Sequence, residues 1–254
     1  MNLNPIMEPN LIIALALAFG IGLSLGLLGS GGSIITLPVL VYVARVPVAS
    51  AVGMSLAIVG GTSVAGVWWK RRQGLIHWRA AAWFAGTGVV GSLAGAQLTH
   101  LVSPGVLMLI FAGLMALVAV RMLVRRGDDA IEPLPDCRPL RCGLAGMAVG
   151  LLTGFVGVGG GFLLVPAMTL FARLPMAVAV GTSLAVIAAN SFAGWLGHLG
   201  HEPFAWGMTS AFLLAALAGM ASGARLGGRL SPVTMRRAFG WFVVAVAAFV
   251  LVNH

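Results

Sequence analysis

Two short stretches of the chain could hold a ligand with the main chain alone. They are Gly29-Ser30-Gly31-Gly32-Ser33-Ile34-Ile35-Thr36-Leu37-Pro38 and Gly157-Val158-Gly159-Gly160-Gly161-Phe162-Leu163-Leu164-Val165-Pro166. In each, a glycine cluster precedes a short apolar helix candidate that meets a proline. The first amides of such a helix have no intrahelical partner, and its dipole concentrates positive charge there. Glycines let a ligand approach those amides closely. The chemistry expected at Gly29, Gly31, Gly32 and Ser33, and at Gly157, Gly159, Gly160 and Gly161, is the binding of a small anion. The plainer reading is that the glycines serve only tight helix packing, and the recurrence of the stretch favours a ligand.

Few polar side chains accompany these loops. Ser55, Thr182, Ser183 and Asn190 lie in apolar segments, where they either donate to an anion or bond to a neighbouring helix. Ser30 faces Val158 in the other copy, so its hydroxyl is not a shared requirement. Arg45 and Arg173 form a matched pair that could draw anions to two mouths, or simply snorkel to an interface. All six carboxylates fall outside the apolar segments, which argues against an acidic proton relay or a cation site. His198, His201 and Glu202 read as loop residues rather than metal ligands, and no metal or cofactor is expected. An intramembrane serine protease would need a serine beside a histidine. The histidines (77, 100, 198, 201 and 254) all sit in loops or at ends, so the chain does not read as an enzyme.

The elements that position these residues come in two sets. Moving 128 residues along the chain takes Gly32 to Gly160, Arg45-x-Pro47 to Arg173-x-Pro175 and Val52-Gly53-x-Ser55-Leu56-Ala57 to Val180-Gly181-x-Ser183-Leu184-Ala185. The first set reads as apolar segments over 11–28, 33–44, 48–69, 78–101 and 105–124. The second covers 142–156, 161–172, 176–197, 205–230 and 232–252. Residues 1–124 thus form one membrane repeat, 125–141 a polar linker and 142–254 a second repeat. Segment 33–44 would give only about 18 Å of helix against a hydrocarbon core of about 30 Å. Segments 11–28 and 33–44 therefore either form a broken, re-entrant hairpin, the favoured reading, or make two short crossings. The expected architecture is an all-α polytopic membrane protein of two inverted-topology repeats with eight to ten transmembrane helices.

Composition agrees: 59% of residues are hydrophobic and 8% charged, against roughly 25% charge in soluble domains. The net charge of +9 is a topology signal rather than a nucleic-acid footprint, since no basic stripe or soluble domain carries it. Placing the Lys70–Arg72 loop and the linker in the cytoplasm leaves Arg45 as the one basic residue outside. Both termini are then outside, and the two repeats are inverted. The expected location is a bacterial inner membrane, with no cleaved leader because no basic residue precedes the first apolar run. Small-xxx-small spacings such as Gly22/Gly26 predict close helix packing, with an added methyl tolerated at Gly22. Cys137 and Cys142 match no zinc or redox spacing and read as two plain thiols.

The duplicated Gly-x-Gly-Gly loops, each followed by an apolar helix and proline, and the Val-Gly-x-Ser-Leu-Ala stretches resemble the TauE/SafE sulfite exporter family, also called the sulfonate uptake permeases. The resemblance covers roughly residues 11–250. It implies a secondary transporter of a small anion such as sulfite, a sulfonate or a related organic anion. It carries over the two glycine loops and the Ser55 and Ser183 regions to the substrate site. Met54 stands where Thr182 stands in the second copy, which reduces the first half's polar contact. The alternative class is a membrane scaffold or receptor that moves no substrate.

Overall fold

A computed structural model describes residues 8–30, 32–99, 113, 116–120, 122–123, 139–156, 161–198 and 205–252. The described residues are almost wholly helical, with no strand among them. Helix α1 spans Glu8–Leu28 and stops at Gly29, whose φ of 77° is left-handed and suited to glycine. Helix α2 follows at Gly32–Pro38 and widens into a π-type turn over Val39–Val43. Pro38 carries no amide hydrogen, so the ladder loses a bond there. The widened turn closes with Ala44 N–H donating to the Val39 carbonyl at 3.0 Å.

The chain then leaves the hairpin the same way in both halves. Arg45 and Arg173 hold φ of 54° and 53°, a backbone region that costs a non-glycine residue roughly 1–2 kcal/mol. The next amide closes each end, Val46 donating to the Leu40 carbonyl at 3.0 Å and Leu174 to that of Met168 at 3.1 Å. Pro47 and Pro175 follow, and the next helix of each half starts directly after them. The matched arginines are thus first of all matched backbone joints.

Helices α3 (Val48–Arg72), α4 (Trp78–Thr99), α5 (Pro139–Val156), α6 (Gly161–Leu170), α7 (Met176–His198), α8 (Trp206–Gly227) and α9 (Pro232–Val252) complete the described elements. Helix α5 starts inside the segment expected to be linker. Three described stretches, Ser50–Arg72, Met176–Leu196 and Trp206–Gly227, are long and apolar enough to cross a membrane. Helices α3 and α7 pack antiparallel. A Cβ at Gly194 would meet Leu56, and one at Gly66 would meet Leu184.

The first helix of each half pairs with a helix of the other half. Gly22 abuts the Ala216 backbone and Gly150 that of Gly88, while Gly219 abuts the Phe19 carbonyl and Gly91 that of Met147. These α1–α8 and α4–α5 contacts match one another at the same 128-residue offset. The expectation that Gly22 tolerates a methyl is therefore corrected, because a Cβ there would run into the Ala216 carbonyl. Two apolar cores result, one built by α1, α2, α3 and α8, the other mainly by α4 to α7 and α9.

The cysteines also differ from expectation. Cys142 is buried and disulfide-bonded rather than a plain thiol. The chain's other cysteine, Cys137, lies outside the described residues.

Candidate functional site

The two short helices start against each other. A Cβ at Gly161, the first residue of α6, would collide with the Ser33 hydroxyl near the start of α2, and would come within 3.2 Å of Ile187. Ile187 lies close to the middle of α7. Two helix N-termini, with their unpaired amides and positive dipole ends, therefore converge at one level of the bundle. Ser33 itself is turned to the chain just before it, donating to the Ser30 carbonyl at 2.9 Å.

The break at Gly29 rests on α7. Its missing side chain makes room for Val180 and Ser183, since a Cβ there would stand 2.8–2.9 Å from both. The Ser183 hydroxyl lies 2.9 Å from the Val180 carbonyl and 3.2 Å from that of Gly29, and donates to both. It thus ties the break of one half to the long helix of the other. Its counterpart Ser55 donates to the Val52 carbonyl of its own helix at 2.9 Å.

Other sequence candidates lie elsewhere. The Thr182 hydroxyl accepts the His77 amide at 3.0 Å and so fastens the turn between α3 and α4. His77 in turn caps α4, its Nδ1 accepting the Ala80 amide at 3.1 Å. Gly32 faces back onto α1, where a Cβ would meet the Ile21 carbonyl and Leu25. Its role in the structure is to close the hairpin. Asn190 is half-buried on α7, and Arg45 and Arg173 are exposed. Gly31, Gly157, Gly159 and Gly160, with His201 and Glu202, lie outside the described residues.

Three further groups stand out in the structure. Ser30, at the break, is 0% exposed, and its hydroxyl has no partner. Ser63, in the centre of α3, is equally buried and equally unpartnered. A buried hydroxyl without a partner costs stability, so each marks a place where a ligand or water could repay the loss. The signal for Ser30 was its place as the one non-glycine between Gly29 and Gly31. Lys70, read as a loop charge, is 2% exposed at the end of α3 and packs its stem where a Cβ at Gly181 would stand 3.3 Å away.

Comparison with known proteins places this architecture. The family profile described as "Sulfite exporter TauE/SafE" matches residues 14–250. A "Probable membrane transporter protein" of Xylella fastidiosa is 34% identical over 250 residues, covering 95% of each chain. The "Probable membrane transporter protein YdhB" of Bacillus subtilis is 25% identical over 244 residues, covering 94% of this chain and 99% of its own. A further probable membrane transporter protein, from Methanocaldococcus jannaschii, is 27% identical over 204 residues. No solved structure matches. The profile runs across both glycine breaks and every described helix, and the chain belongs to the TauE/SafE sulfite exporter family of membrane transporters.

Proposed function

We propose that the protein is a secondary carrier of a small oxyanion, such as sulfite, a sulfonate or a related organic anion, bound where the two broken hairpins meet. One observation carries this reading. The starts of α2 and α6 converge at Ser33 and Gly161, with the unpartnered Ser30 hydroxyl at the adjoining break. Two positive helix ends and a free donor suit an anion, and no side-chain charge is needed. The halves are repeats of inverted topology. Both termini lie outside an inner membrane, and residues 125–141 lie in the cytoplasm, as the distribution of basic residues requires. Arg45 and Arg173 then sit at opposite mouths. Exchange of access between the faces proceeds by rocking one set of helices against the other around this junction.

The test is thermal unfolding of the purified protein against a panel of anions and cations. A ligand bound only by the folded state raises the midpoint by mass action. Sulfite or a short alkyl sulfonate should raise it, and sodium, potassium or magnesium as chloride salts should not. Stabilisation by cations alone would overturn the anion assignment.

A further inference from the structure

A second binding feature lies away from the hairpin junction, at the corner where α5 begins and α6 ends. Arg141, Ala145, Ala148, Leu170, Phe171 and Arg173 wall a cleft of about 560 Å³. Four of them, Ala145, Ala148, Leu170 and Phe171, also line a second space of about 410 Å³. This space continues along Val118, Val149, Leu152, Leu163 and Ala167, and the side chains that line it are all hydrocarbon. The two spaces form one groove with a cationic mouth and an apolar floor. From Arg141 to Leu152 it follows α5 for about 16 Å, close to the roughly 15 Å depth of one bilayer leaflet.

Among the described residues, no carboxylate lines the mouth. Both guanidiniums are exposed, and neither is paired with a carboxylate among the described residues. Two guanidiniums on one cleft repel each other, and each offers the forked donors that fit a phosphate. The other half shows that this pairing is not a by-product of the fold. Arg45 stands where Arg173 stands, but Ile13, 52% exposed, takes the place of Arg141. The counterpart positions thus carry one charge in the first half and two in the second.

We propose that this groove holds an anionic glycerophospholipid. Its phosphate sits between Arg141 and Arg173, and one acyl chain lies along α5 and α6. Charge complementarity at the mouth and the apolar floor together select this occupant: a free phosphate would leave the floor empty, and a zwitterionic lipid would bring a cation of its own beside the two guanidiniums. The proposal does not depend on which anion the protein carries.

The experiment uses the intact protein in a mild detergent, with native mass spectrometry and thermal unfolding as readouts. Phosphatidylglycerol, phosphatidylcholine and inorganic phosphate are added separately. Phosphatidylglycerol should be retained about tenfold better than phosphatidylcholine and should raise the unfolding midpoint. Inorganic phosphate should leave the midpoint unchanged. Arg141→Gln should abolish the preference for phosphatidylglycerol. Ala148→Trp, which fills the groove from an exposed position and leaves both arginines in the chain, should lower retention of both lipids. The two variants probe head and tail separately, so poor folding of one leaves the other decisive. Equal retention of the two lipids by the wild type, or an unchanged preference in Arg141→Gln, would overturn the proposal. A midpoint shift with inorganic phosphate and none with lipid would assign the arginines to a free anion instead.

Discussion

Ser33 and Gly161 occupy the same position in the two halves of the chain and touch each other in the fold. A residue in contact with its own repeat counterpart lies on the line about which the halves are arranged. The contact fits because one partner is a serine and the other has no side chain. The junction therefore has room for one small side chain and not for two.

This asymmetry gives the first prediction. Gly161→Ser should clash with Ser33 and lower anion uptake about tenfold in proteoliposomes. Adding Ser33→Gly in the same chain should restore uptake to within about twofold of wild type, because neighbouring substitutions that share one space are strongly non-additive. Additive losses in the double variant would show that the two positions do not share that space.

Gly29 supplies the second. Its φ of 77° and its contact with Val180 and Ser183 make Gly29→Ala costly, on the order of 1–3 kcal/mol from backbone strain with a steric term besides. Ser183→Ala removes only a hydroxyl that donates to the Gly29 carbonyl, a loss of about 1 kcal/mol. Gly20→Ala is the control, since a Cβ there meets nothing within 4 Å. Gly22→Ala should behave like Gly29→Ala. Midpoints of thermal unfolding in detergent give the order, and a Gly22→Ala protein as stable as Gly20→Ala would contradict the α1–α8 packing.

Arg45 supplies the third. Arg45→Ala should raise the apparent KM for outside anion about threefold at low salt. The effect should fade near 1 M salt, where the screening length is about 3 Å. A salt-independent rise would mean that the left-handed backbone at Arg45, rather than its charge, is what the substitution disturbs.

The fourth prediction tests orientation through the cysteines. The reducing cytosol keeps thiols open on a cytoplasmic face, although Cys142 can form a disulfide in the fold. In whole cells, a membrane-permeant thiol reagent should label Cys137 and an impermeant one should not. Efficient labelling by the impermeant reagent after mild reduction would place residues 125–141 outside and reverse the proposed topology.

Much of the helical layout was legible because apolar runs in this chain are interrupted only by glycine, proline and charge. The breaks at Gly29 and after Leu170, and the long helices α3, α7 and α8, fall within a few residues of expectation. What each candidate side chain does was less legible. Thr182 and Ser183 are adjacent on one helix, yet one fastens a turn and the other a helix break. Spacing along one helix does not reveal which neighbour each face meets. The same holds for Gly22 and Gly32, where the sequence suggests room or freedom and the fold presses another backbone against the missing side chain. Lys70 shows the limit for charge: a basic run marks a helix end but not which of its members is buried.

The pairing of α1 with α8, and of α5 with α4, also governs how the protein is made. Helix α1 leaves the ribosome first, but the surface that fits its glycines belongs to Trp206–Gly227. At about 5–20 residues per second, that surface arrives roughly 10–40 s later. Until then the narrow glycine face of α1 has only lipid beside it. A nascent chain stopped after the first repeat cannot close either core, because each core draws on helices of both halves.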